Sequence, residues 1–247
     1  MHNDPAAFAI PAARAIREGF ALLAILTVGL VSFARADPDP NMCLGVDFDA
    51  QHPLVVSKIV AASRVYFVKG SEDDTACPAD TEACRKKAYL IPGDLVLTGR
   101  GRDRFTCVAY QSPLARKQDW TNGWLPASAL APVAPMSSPQ ASDWVGTWSH
   151  AGCHISISRG EGGKLSIEGE QIYPAAQNVH TGVIGAVARP SGGTIAFAED
   201  GSIPFDEAGD GQCRVRMQRV GPWLLVEDNG ACGGIMVTFT GLYRRGK

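Results

Sequence analysis

Residues 153–170 read CHISISRGEGGKLSIEGE. Cys153, Ile155 and Ile157 alternate with His154, Ser156 and Ser158, a period of two that gives an extended chain one apolar and one polar face. RGEGG (159–163) supplies a glycine-bearing turn, and Leu165 and Ile167 continue the apolar side beyond it. The stretch is an antiparallel hairpin in the making.

The same pattern runs through the rest of the C-terminal half. Cys213, Val215 and Met217 alternate with Arg214, Arg216 and Gln218, and VGP (220–222) turns that strand into WLLVED (223–228). DNGACGG (228–234) follows, its Asn229-Gly230 pair suiting positive-φ turn positions. Val237, Phe239 and Tyr243 then alternate with Thr238, Thr240 and Arg244. A meander whose strands alternate this cleanly is expected to close into a barrel, which removes its free edges.

Upstream, residues 126–143 read PASALAPVAPMSSPQASD, with four prolines among Ala and Ser and one charge at the end. Proline removes a donor and opposes helix continuation, so this composition suits an extended linker. Before it lie short β-branched and aromatic runs at Leu54–Ala62, Arg64–Lys69, Ala88–Ile91, Leu95–Thr98 and Phe105–Gln111, with GRGRD (99–103) as a turn. NGWLPASAL (122–130) ends the half as a short strand and a Pro-led turn. No helical periodicity persists for three turns after the first 36 residues. The fold class expected is all-β: two small barrels, residues 54–131 and 144–247, joined by the Pro/Ala linker 132–143.

Arg14 and Arg17 precede an uncharged run from Gly19 to Ala34, and Ala34-Arg35-Ala36 fits a small-x-small cleavage site. Residues 1–36 are thus expected to be a signal peptide, cleaved or else kept as an anchor, with 37–53 as an N-terminal segment of a periplasmic or secreted chain. No transmembrane span is expected after cleavage. Export brings oxidising conditions, and all seven cysteines lie beyond the leader at spacings unlike paired zinc clusters. If Cys213 opens a strand whose partner ends at Asp228, Cys232 returns to Cys213. A Cys77–Cys84 bridge would pin the polar excursion between them. Cys43–Cys107 completes the expected set, leaving Cys153 unbridged or linked between chains. The 23 basic and 25 acidic residues are dispersed, so nucleic acid is not an expected partner.

YLIPGDLVLTGRGRDRFTCVAY…TNGWLPASAL resembles bacterial SH3-like domains, on Gly93, Gly123, Trp124, Leu125 and Leu130. The resemblance covers roughly residues 54 to 131 and implies a five-stranded barrel with a short 3₁₀ turn after the GW strand. The Cys77/Cys84 excursion departs from a minimal domain of that kind and falls where its long first loop would lie. WVGTW (144–148) with FTGLYRR (239–245) resembles the calycin, or lipocalin-like, barrels. That implies Gly146 and Trp148 on the first strand and Arg244 or Arg245 packed over one barrel end. The whole resembles proteobacterial envelope proteins of this build.

Chemistry-bearing motifs are few. His150, Cys153 and His154 are close in sequence, but alternation sends Cys153 and His154 to opposite faces, so they do not converge on a metal. Glu199, Asp200, Asp206, Glu207 and Asp210 do not follow calcium-loop spacing. No G-x-S-x-G elbow, H-E-x-x-H or P-loop occurs. No metal, cofactor or catalytic residue is expected. The expected function is non-catalytic binding of cell-wall material or a protein partner through the first domain. Its surface would combine Tyr66, Tyr110, Trp120 and Trp124 with Arg100, Arg102 and Arg104. The alternative is an inhibitor or immunity protein blocking a secreted lysozyme or protease with the C-terminal barrel.

Overall fold

The 153–170 stretch forms a hairpin in the computed structural model of the chain, which describes residues 39–115, 119–175 and 178–246. The expected leader lies outside the described residues. Strand β9 (Cys153–Arg159) pairs with β10 (Leu165–Pro174) in the register Ile157↔Ile167, so the apolar residues of both share one face. The C-terminal sheet also holds β8 (Gly146–His150), β11 (Val179–Ala188), β12 (Thr194–Ala198), β13 (Arg214–Val220), β14 (Trp223–Asp228) and β15 (Gly241–Arg245). Its order, β11-β10-β9-β8-β15-β14-β13-β12, is a meander in which the last strand returns to the first, through Ser149↔Arg244 and Trp148↔Arg245. The barrel is thereby nearly closed, open only between β11 and β12. Trp148, Ile155, Ile157, Met217, Phe239 and Tyr243 fill it, each at most 2% exposed.

The first sheet contains β1 (Val55–Ile59), β2 (Val65–Val68), β3 (Arg85–Leu90), β4 (Leu95–Arg102), β5 (Phe105–Tyr110), β6 (Thr121–Pro126) and β7 (Leu130–Pro132). They are antiparallel in the order β3-β2-β6-β5-β4-β1-β7. Seven strands stand where five were expected. Ala127–Ala129 forms the 3₁₀ turn after the GW strand, and it swings Leu130–Pro132 back onto β1. The GRGRD turn is also shorter than expected: β4 runs through Arg102, and Asp103 turns the chain at φ 51°. Ile59, Phe67, Leu90, Val96, Val108 and Leu125 make the core.

The two sheets belong to one compact unit. Val56, Leu97 and Ala109 of the first pack against Val220 and Leu225 of the second in a shared apolar cluster. Residues 133–140 lie along this junction: Val133 donates its N–H to the Val56 carbonyl and Met136 to the Arg219 carbonyl (2.8 and 2.7 Å). The helical turn α1 (Ala141–Trp144) follows, with Asp143 and Gln140 capping each other. Three disulfides join Cys43–Cys107, Cys77–Cys84 and Cys213–Cys232, the same cysteines paired from the sequence. Cys153 lies in the barrel core without solvent exposure, so an interchain bridge through it is excluded.

Candidate functional site

The junction of the sheets is incompletely filled. A cleft of about 400 Å³ opens there, within the range of small-molecule sites. One wall comes from the first sheet, where Leu95 and Leu97 of β4 face Ala109 and Tyr110 of β5, with Trp120 at the edge. The opposite wall is the VGP turn and its flanks, Val220 to Trp223, with Leu242 of β15. Turn chemistry shapes the β13–β14 hairpin tip, and the apolar cluster of Val220 and Leu225 packs it against the first sheet. Gly221 takes φ 56° to make that turn, and Arg219 donates to the carbonyls of Gly221 and Trp223 (2.7 and 2.9 Å).

His150 borders the cleft from β8, with its ring 6.1 Å from that of Trp120 and 5.2 Å from that of Tyr243. The ring lies flat on Gly241, where any Cβ would fall within 2.3 Å of Nε2; only glycine fits there. Burial, chiefly, lowers the His150 pKa to about 4, aided by the charge of Arg244. The imidazole is therefore neutral near pH 7. Its Nδ1–H donates to the Leu242 carbonyl (3.0 Å), which leaves the lone pair on Nε2, buried and without a hydrogen-bond partner.

At the mouth stand two charges, Lys58 of β1 and Asp94 in the turn before β4. The Ile59 N–H bonds the Asp94 carbonyl and the Gly93 N–H bonds the Ile59 carbonyl, both at 2.9 Å, which fixes these neighbours at one end of the cleft. One Asp94 oxygen accepts the Ile91 N–H (2.9 Å). The Tyr110 phenol is pushed up by burial first and by the Asp94 charge second.

The residues expected to form one surface are distributed over three places. Tyr110 and Trp120 line the cleft. Tyr66 instead packs at a tilt against Tyr89 across the β2–β3 pair, with ring centroids 5.7 Å apart and the Arg85 guanidinium over the Tyr66 ring. Trp124 is fully buried, its indole N–H donating to the Asn41 carbonyl (3.0 Å), because its side of β6 packs beneath the N-terminal segment. Arg100 and Arg102 hold that same segment. Arg100 donates to the carbonyls of Asp39 and Met42 (3.1 and 2.6 Å), and Arg102 to the Asn41 side chain (3.0 Å). Arg104 pairs with Asp80 at 3.3 Å. Sequence reading missed Lys58, Asp94 and Trp223; it weighed His150 as a metal ligand and preferred a surface or rim histidine, whereas the ring is buried. The one available sign was an aromatic at the first position after a Gly-Pro turn, where a strand side chain is half exposed.

The barrel end that carries the VGP turn is closed by a pair of cations. The guanidinium groups of Arg219 and Arg245 both lie over the Trp148 ring, 4.5 and 4.8 Å from its centroid, and the Trp148 N–H donates to the Trp144 carbonyl (2.8 Å). Both arginines also donate to the Asp143 carbonyl. Of the two basic candidates on the last strand, Arg245 occupies this position.

DNGACGG is a tie within the barrel. Gly230 alone takes positive φ (74°); Asn229 works through its side chain, donating to the Gln212 carbonyl (2.8 Å) and accepting the Arg214 N–H (3.0 Å). Buried Asp228 receives the N–H groups of Phe239 and Thr240 (2.9 and 3.0 Å). Burial pushes the Cys153 thiol up to about 12, far from thiolate chemistry. Among the described residues, no three His, Cys, Asp or Glu side chains gather to hold a metal, and no helix is long and apolar enough to cross a membrane.

Fold and site together define an all-β, disulfide-bonded protein of two antiparallel sheets with an aromatic cleft between them. No protein-family model matches the chain, and neither a curated protein nor a solved structure does.

Proposed function

We propose that the chain is a non-catalytic binding protein of the bacterial envelope, periplasmic or secreted, with its ligand site in the cleft between an SH3-like sheet and a calycin-like barrel. The cleft carries this reading: an apolar cavity of about 400 Å³, edged by Tyr110, Trp120 and Trp223, with a few polar groups converging on it. Rigid aromatics supply contact area with little rotamer entropy to lose. Three disulfides fit oxidising surroundings outside the cytoplasm. The ligand favoured is a soluble wall fragment, a muropeptide, whose compact body enters a cleft too small for a folded partner.

Trp120 and Trp223 make the cleft its own reporter. Titrating the protein with purified muropeptides is expected to change tryptophan emission saturably, with at least tenfold weaker binding in Trp120→Ala and a milder loss in Trp120→Phe, which preserves the packing on His150. An emission spectrum unmoved at millimolar muropeptide overturns the proposal.

A further inference from the structure

Resting on the cleft as a ligand site, we infer that it takes a zwitterionic short free peptide with an apolar side chain, such as a wall stem peptide released from its sugar, with the apolar body between the walls and the two termini at the mouth. The argument is one of charge placement. Lys58 and Asp94 both border the opening, held side by side by the paired backbone bonds at Ile59. They do not pair with each other, and Lys58 makes no hydrogen bond or ion pair among the described residues. Asp94 is half-buried beside Tyr110 with one oxygen engaged by the Ile91 amide, so the other oxygen is open to a donor.

Opposite charges that flank an apolar cavity without meeting each other match a ligand carrying the reciprocal pair. Its ammonium would lie at Asp94 and its carboxylate at Lys58, with an apolar side chain between Leu95, Leu97 and Trp223. A singly charged ligand would leave one of the two facing it without compensation. A doubly charged anion would have to approach the Asp94 carboxylate. Neutral apolar molecules fill the walls but gain nothing at the mouth.

Calorimetry of the full protein with the dipeptide Leu-Trp, and with the same dipeptide N-acetylated and C-amidated, separates the claims. The free dipeptide is expected to bind at least tenfold more tightly than the blocked one. Lys58→Gln should weaken the free dipeptide about tenfold and leave the blocked one unchanged; Asp94→Asn, which keeps the turn's hydrogen-bond acceptor, should do the same. Equal binding of free and blocked dipeptides, unaltered by either variant but lost in the cleft-filling Leu95→Trp, overturns the zwitterion inference while the cleft stands. Binding of neither form overturns the zwitterion inference, and binding indifferent to Leu95→Trp overturns the cleft reading with it.

Discussion

His150 couples protonation to the seam between the sheets. Its pKa is lowered in the fold from the ordinary 6.5 to about 4, so between those values the unfolded chain binds a proton that the folded chain refuses. This contribution to stability is whole above about pH 6.5 and is lost as pH falls towards 4. At pH 5 the loss amounts to about 2 kcal/mol relative to pH 7.5. Urea denaturation at the two pH values should show it, and His150→Phe should flatten the difference by that amount; an unchanged pH slope in the variant would sink the assignment. Nothing in HAGC announces this residue. The reading separated His154 from Cys153 by strand alternation, but the burial of His150 depends on Gly241, which is 91 positions away and meets it only through the β8–β15 pairing.

Strands and turns were the legible elements, because a period of two and a Gly-Pro pair act within a few residues. The cysteine pairing was legible for the same reason. Cys213 and Cys232 flank a hairpin whose register runs Val215↔Asp228, so strand length alone returns them to one end. The binding surface was not legible. Which face of β6 is covered, and hence whether Trp124 can touch a ligand, depends on a segment more than 80 residues earlier, whose Asn41 carbonyl accepts the indole N–H. The loop after β14 shows how a local motif acquires a distant role. Asp228 gathers three amides, of Gly230, Phe239 and Thr240, and the hydroxyls of Thr238 and Thr240 about its carboxylate. Asp228→Ala removes the acceptor and leaves buried donors unanswered, with an expected loss of about 3 kcal/mol. Asp228→Asn should lose less. Denaturation midpoints at constant slope check both, and a loss under 1 kcal/mol for the alanine variant would show that the loop holds without the carboxylate.

At the scale of the molecule, the sheets are joined by a strap as well as by their shared apolar cluster. Residues 43–54 begin at the Cys43–Cys107 bridge on the first sheet and end on the barrel. There, Arg216 and Glu227, opposed across β13 and β14, form a buried bidentate pair at 2.8 and 3.1 Å. Arg216 also donates to the carbonyls of Asp49 and Ala50, and Glu227 accepts the Leu54 N–H. Removing one member strands the other as a buried charge, so Glu227→Ala is expected to cost about 3–5 kcal/mol. Hydrogen exchange should then accelerate at Leu54 and along residues 46–54. Slow exchange retained there would show that the disulfide and apolar contacts hold the strap unaided.

The strap also imposes an order in time. As the chain emerges from its N-terminus, Asp49 and Ala50 appear early, yet the guanidinium that receives their carbonyls lies 166 or 167 residues later. Contacts that distant close a long loop before they give anything back, and they form late. Residues 46–54 thus settle after β13 and β14 have paired, whereas residues 41–43 are held on the first sheet by Arg100, Arg102 and Cys107. Completion of the barrel is the event that seals the strap.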